Sequence, residues 1–175
     1  MKQNFTLGIS YTCGEEKKDL IKIEELVFED SKLGTIRFFR YDDCDELISE
    51  GLNIKFGKFN PSIEISIYKE EYNYLYLEAL RYIYENQDEI LDNYYKEAIE
   101  VCNDWGVYDE DGNSITITYE YASEDFKISE ISLYSYKNKE VMAMLWGYPS
   151  SDLLGGHGLD VSINCTTKEI KYLLQ

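Results

Sequence analysis

Residues 61–106 read PSIEISIYKEEYNYLYLEALRYIYENQDEILDNYYKEAIEVCNDWG, and the change of period inside this stretch decides the fold. Ile63, Ile65 and Ile67 recur at every second position with Ser62, Glu64, Ser66 and Tyr68 between them, the alternation of a half-buried strand. From Glu70 the spacing becomes three and four, through Leu75, Ala79, Leu80 and Ile83, and neither proline nor glycine interrupts it before Gly106. The main helical material is therefore expected from about residue 71 to 104, as two helices or one bent helix. Asn86, followed three residues later by Glu89, has the form of a capping box and predicts a second helix start. The apolar face of that helix carries Ile90, Leu91, Tyr94, Tyr95, Ala98, Val101, Cys102 and Trp105, with Gly106 as its expected terminator.

On the N-terminal side the chain alternates in the manner of strands. Phe5, Leu7 and Ile9 share a face, as do Ile21, Ile23 and, after a slip, Leu26 and Phe28. Gly34 to Tyr41 and the run Leu52, Ile54, Phe56 continue the pattern, separated by the polar stretch Tyr41 to Glu46, and Asn60-Pro61 marks a turn. On the C-terminal side strands are expected at Ile115 to Tyr121, Ile128 to Tyr136, Glu140 to Trp146, Leu159 to Ile163 and Glu169 to Leu174. Turn-forming clusters lie between them at Asp111-Gly112-Asn113 and Lys137-Asn138-Lys139. Strands, a helical middle and strands again predict one α+β domain over residues 1–175, with a mostly antiparallel sheet and the central helical segment packed on one face.

Composition narrows the function classes. The 175 residues hold 17 Lys and Arg against 34 Asp and Glu, a net charge of −17. Phosphate binding needs clustered cations that release counterions, so a direct nucleic-acid or anionic-lipid footprint is not expected, and a basic partner is the natural complement. Residues Met1 to Thr6 lack a secretory signal pattern, and the longest uninterrupted apolar run, Val141 to Trp146, is too short to cross a bilayer. A cytoplasmic location is the expectation, with Cys13, Cys44, Cys102 and Cys165 as free thiols. Their wide spacing and the single histidine leave little material for a zinc site, and no cofactor is expected.

Three constellations invite chemistry. Asp109, Glu110, Asp111, Gly112 and Asn113 suggest a calcium loop, but with Gly112 at the sixth position Val107 and Thr118 fall at the first and twelfth, where carboxylates are required. A solvated turn accounts for the stretch better. His157 follows Ser150, Ser151 and Asp152, from which a hydrolase using His157 with Asp152 and a serine or cysteine can be assembled. No nucleophile-elbow or cysteine signature accompanies it, and a tight glycine turn into the strand Leu159 to Ile163, with the imidazole capping backbone groups, is the better reading. Finally, acids cluster at Glu15-Glu16, Glu29-Asp30, Asp42 to Glu46, Asp88 to Asp92 and Asp104 to Asp111, which reads either as a solvated face or as a patch that steers a basic protein.

Tyrosine, at 17 copies, is the compositional oddity; AT-rich coding accounts for it, and so does a recognition surface. Tyr72, Tyr74, Tyr76, Tyr82 and Tyr84 cannot all face one core.

Residues 71–174 resemble a group of bacterial domains found beside secreted toxin genes, some regarded as immunity proteins. The resemblance rests on Leu77, Ala79 and Leu80 with Asn86 and Ile90, followed by Tyr94-Tyr95; on strands leading into Leu145-Trp146; and on His157-Gly158-Leu159 with Val161 and a final hairpin. It implies no catalytic residue. Together with the charge it predicts an acidic binding protein, not an enzyme, that neutralises a basic effector such as a toxin nuclease domain by occluding its active surface. The candidate partner-binding residues are Asp42, Asp43, Asp45 and Glu46, and then Asp104, Trp105, Tyr108, Asp109, Glu110 and Asp111. The hydrolase and a structural or adaptor domain are the alternatives.

Overall fold

The computed structural model describes residues 22–42, 47–49, 54–67, 73–108, 111–135 and 140–175. Within these the chain runs β1 (Lys22–Asp30), β2 (Gly34–Tyr41), β3 (Leu47–Ser49), β4 (Ser62–Ile67), α1 (Asn73–Glu85), α2 (Gln87–Trp105), β5 (Val107–Tyr108) and β6 (Ser114–Ile115). It continues through α3 (Tyr119–Asp125), β7 (Phe126–Ser135), β8 (Val141–Pro149), β9 (Leu159–Asn164) and β10 (Glu169–Leu174). Eight strands form one sheet in the order β1-β2-β3-β4-β7-β8-β9-β10, and β5 with β6 forms a separate short hairpin. Among the described strands only β4 and β7 pair in parallel. A parallel pair needs a crossover connection, and here the stretch between Ile67 and Phe126 supplies it and contains all three helices. One crossover delivers them to one face of a mostly antiparallel sheet, the α+β arrangement that the change of period predicts.

Strand register lines up the face beneath the helices. Leu133, Ala143, Ile163 and Ile170 form one row across β7 to β10, and Ile131, Leu145, Val161 and Tyr172 form the next. The helices answer with Tyr76, Ala79, Leu80 and Ile83 from α1 and Ile90, Leu91, Tyr94, Tyr95, Ala98 and Cys102 from α2, all buried in one continuous cluster with the sheet. Each fully buried branched or aromatic side chain contributes about 1.5–3 kcal/mol, and this cluster holds the layers together. The opposite face of β7 to β10 has no helix over it among the described residues, and there Trp146 and Tyr148 are exposed while Met142 and Met144 are half-buried.

The β1–β2 hairpin is tied to α1 by Asp30. One carboxylate oxygen accepts from the Lys32 and Leu33 backbone N–H groups at 2.8 and 2.9 Å, and the other accepts from Arg81 Nε at 2.7 Å and from its Nη2. These donors, Leu33 first and Arg81 next, hold the Asp30 carboxyl down at about 2.

The structure corrects four expectations. The strand expected at Leu52, Ile54 and Phe56 is absent where it is described: Phe56 and Phe59 close a tight turn through two backbone bonds of 3.0 and 2.9 Å, while the strand falls earlier, at Leu47–Ser49. Asn86 does stand before α2, but its side chain makes no cap; its Nδ2 donates to the Tyr82 carbonyl, and the backbone N–H of Asn86 bonds the same oxygen. The Asn side chain thus turns back to the end of α1 and is not free to cap α2. Ile115 to Tyr121 is not one strand, because Thr118 caps α3 by accepting from the Tyr121 N–H and the residues beyond are helical. Trp105 leaves the apolar face of α2, 50% exposed, since the helix ends there with Gly106 in the left-handed conformation (φ 73°). The expected strand at Phe5, Leu7 and Ile9, together with Ile21, Leu52, Tyr72, Cys13, Cys44 and Lys137-Asn138-Lys139, lies outside the described residues.

Candidate functional site

A cleft of about 330 Å³ opens on the uncovered face of the sheet at the end of β8 and β9, lined by Ser129, Trp146, Tyr148, Asp160, Gln175 and glycine backbone. It forms because the β8–β9 ladder, paired regularly from Met142↔Asn164 to Leu145↔Val161, stops there. Beyond that point Asp160 Oδ1 takes the place of a backbone carbonyl and accepts the Gly147 N–H at 3.0 Å. The two backbones stay in close approach without ladder bonds, a Cβ on Gly158 falling 2.7 Å from the Gly147 carbonyl, and Gly158 bonds instead with Gln175 through two backbone bonds of 3.2 and 3.0 Å. Gly147 is required at this position: a Cβ would collide with the Tyr94 hydroxyl on the helix side and with the Leu159 carbonyl.

Asp160 is only 3% exposed, yet the Gly147 N–H is its one hydrogen bond among the described residues, and no lysine or arginine pairs with it. Burial pushes its carboxyl above the usual range, partly offset by that bond. The Tyr94 hydroxyl is also buried, makes no hydrogen bond among the described residues, and is pushed up by burial and by the Asp160 charge. The rings at the cleft mouth face solvent: Trp146 is 39% exposed, its indole N–H donating to Ser132 Oγ at 3.2 Å, and Tyr148 is exposed beside it.

The C-terminal end of α2 touches the turn that leads into β9. The Trp105 ring meets His157 edge to face at 5.7 Å, and His157 sits between Gly156 and Gly158 of the cleft wall. Tyr108, in β5, is 64% exposed, and Asp104 and Asp111 are exposed on either side of it in sequence. Of the expected partner-binding residues, then, Trp105 touches His157 in the turn before β9 but does not line the cleft, and Asp104 and Tyr108 are its near neighbours in the chain. Asp42 follows the end of β2, five strand positions from β9 in the sheet order, and belongs to another part of the surface. Asp43, Asp45, Glu46, Asp109 and Glu110 lie outside the described residues.

The outer side of the helical layer is acidic. Along α2, Asp88, Glu89, Asp92, Glu97, Glu100 and Asp104 are exposed or half-buried, and Lys96 is the one lysine of that helix, bound to Asp92. Tyr119, at the start of α3, donates to the other Asp92 oxygen at 3.0 Å and packs edge to face on Tyr95 at 5.8 Å. Tyr119 and Tyr121 are both exposed there. Among the tyrosines of α1, Tyr76 is buried, Tyr82 and Tyr84 are half-buried and Tyr74 is exposed, so the tyrosine excess divides between core and surface.

The residues of the hydrolase reading are not assembled. His157 Nδ1 meets the Gln175 carbonyl oxygen at 2.5 Å, and since a carbonyl only accepts, that nitrogen carries a proton. Ser150 and Ser151 turn to Asp125 instead: Ser150 Oγ donates to its carbonyl at 3.0 Å and Ser151 Oγ to its carboxylate at 2.6 Å. Cys102 and Cys165 are free and buried, and burial pushes their thiols up to about 11 and about 12, so both stay protonated at neutral pH.

Sequence reading did not single out Asp160 or Trp146 as site residues. Alternation along Leu159, Val161 and Ile163 puts Asp160 on the outer face, where a carboxylate raises no question; its burial and its bond to the Gly147 N–H appear only in the structure. Among the described residues no helix is long and apolar enough to cross a membrane. Comparison with protein-family models, with curated proteins and with solved structures returns no match for this chain.

Proposed function

We propose that this protein is an acidic, cytoplasmic binding protein that neutralises a basic protein effector, a toxin domain such as a nuclease, by covering its active surface. The observation that carries the reading is the outer side of α2, six carboxylates to one lysine, with exposed aromatic rings in the same layer at Trp105, Tyr119 and Tyr121. Carboxylates at this density steer a cationic partner and raise its association rate. Durable binding needs desolvated anchors, and rigid Tyr and Trp rings give large contact area at low entropic cost. The resemblance of residues 71–174 to domains encoded beside toxins supports the same reading. Mechanism here is occlusion: the effector's phosphate-binding cations are engaged by carboxylates, so its substrate is excluded without any turnover.

The test is co-expression with the product of the neighbouring gene, scored by growth and by complex formation. Protection and a stable complex are expected. Association should slow as the Debye length falls from about 10 Å at 0.1 M to about 3 Å at 1 M salt. Failure to bind or protect against any neighbouring toxin, or an association rate indifferent to salt, contradicts the reading.

A further inference from the structure

Asp160 is a buried carboxylate that the protein itself leaves unbalanced. An ionised group removed from water costs several kcal/mol unless it is paired, and the Gly147 N–H occupies only one of its oxygens. The charged and titratable groups around it do not supply the missing partner. Lys127, opposite Tyr148 on β7, makes no ion pair among the described residues, and Lys171 on β10 pairs with Glu169 at 3.1 Å. His157, next to the cleft wall, bonds the Gln175 carbonyl. Tyr94, from the helix side, makes no hydrogen bond. Around this carboxylate the cleft offers the Trp146 and Tyr148 rings and the Ser129 hydroxyl, which bonds the Trp146 carbonyl at 3.2 Å.

A carboxylate at the base with aromatic rings at the mouth is the chemistry of an organic cation site. The ring faces attract a cation through their quadrupoles, and the carboxylate takes its N–H groups. A metal ion has too few oxygen ligands here. Between the two cationic side chains the site favours arginine, whose planar, weakly hydrated guanidinium stacks on an aromatic ring while donating from its edge. We infer that this cleft receives an arginine side chain of the basic partner, its guanidinium meeting the free oxygen of Asp160 and lying against Trp146. This inference rests on the binding reading above and places one anchor of that complex on the sheet face opposite the helices. Engaging the arginine would fill the cleft and give the free oxygen of Asp160 the charged donor that no described residue supplies.

The experiment uses three blocked tripeptides, Ac-Gly-Arg-Gly-NH2, its lysine counterpart and its citrulline counterpart, titrated into the whole protein. The readout is the indole N–H signals of the two tryptophans, assigned with Trp105→Phe. The arginine peptide should move the Trp146 signal saturably, and the uncharged citrulline peptide should bind at least about tenfold more weakly, as the loss of a charge-assisted pair requires. Asp160→Asn keeps an acceptor for the Gly147 N–H and should weaken arginine binding by a similar factor of about ten. In the unaltered protein, binding should fade on acidification as Asp160 takes up a proton, which keeps the test open if the variant does not fold. Citrulline binding as tight as arginine, lysine binding as tight as arginine, or arginine binding unchanged in folded Asp160→Asn would each overturn the inference. So would free arginine binding far more tightly than the peptide, which points to a small-molecule site. These titrations need no toxin, so their failure leaves the co-expression result standing, and the converse holds.

Discussion

Two aspartates are buried among the described residues, and their surroundings are opposite. Asp30 sits in the β1–β2 turn with four donors on its two oxygens, two from backbone N–H groups and two from Arg81, and its carboxyl is held down at about 2. Asp160, at the end of the β8–β9 ladder, has one donor and no cation among the described residues, and burial pushes its carboxyl up. The same side chain at similar burial is a structural tie in one place and an unbalanced charge in the other. What differs is how many donors the neighbouring elements bring, and the second arrangement makes sense where a partner supplies the rest.

The largest effect should come from Asp30→Ala, which strands the Arg81 guanidinium and leaves two hairpin N–H groups without their acceptor. Urea denaturation should register a loss of about 2–4 kcal/mol, and a loss no bigger than that of an ordinary surface substitution would remove Asp30 from its structural role. Next in size, Gly147→Ala should cost about 1–3 kcal/mol by forcing Tyr94 and the Leu159 backbone apart. Combining it with Tyr94→Phe should recover part of that loss, because the hydroxyl is one of the colliding groups; strictly additive losses would contradict the packing described.

Asp160→Asn should be nearly neutral for stability at pH 7 or raise it by up to about 1 kcal/mol, since it removes a buried charge and keeps the bond to Gly147. A large destabilisation by this change would mean that Asp160 is as well satisfied as Asp30. Tyr94→Phe should have the smallest effect, within about 1 kcal/mol, because the hydroxyl it removes has no hydrogen-bond partner to lose.

Acid separates the two sites by sign. The folded value of Asp30 lies below the unfolded value of 3.8, so its contribution is complete above that value and is lost as pH falls towards about 2. The folded value of Asp160 lies above its unfolded value, so its contribution is complete at low pH and is lost as pH rises through the raised folded value. Stability profiles of Asp30→Asn and Asp160→Asn, each subtracted from the parent, should therefore slope in opposite directions across the acid range, from about pH 2 for Asp30 up through the raised folded value of Asp160.

The legible parts of the fold are those where one period runs for several residues without competition. β4, α1, α2 and β7 to β10 fall where alternation or a three-and-four spacing is sustained, and β10 matches Glu169 to Leu174 at both ends. Errors came where local hydrogen bonds decide between states that share a pattern. Ile115, Ile117, Tyr119 and Tyr121 alternate as a strand would, but the Thr118 hydroxyl starts a helix in their midst. Ile54 and Phe56 are buried by a loop that packs on the core, so their apolarity was sound evidence of burial and misleading about a strand. The site was less legible. Acidity and Trp105 could be read directly, but the burial of Asp160 goes with the end of the β8–β9 pairing, and no residue type marks that point.

The contrast between the two aspartates can be measured in one titration. Following the side-chain carboxyl carbons of Asp30 and Asp160 by NMR in the unbound protein, from neutral pH downwards, reads both folded values under the same conditions. Asp160 should titrate above the ordinary carboxylate value of about 4, and Asp30 should remain ionised until about pH 2. If Asp160 instead titrates at or below the ordinary value, its charge is already balanced in the free protein, and the cleft does not stand ready for a cation.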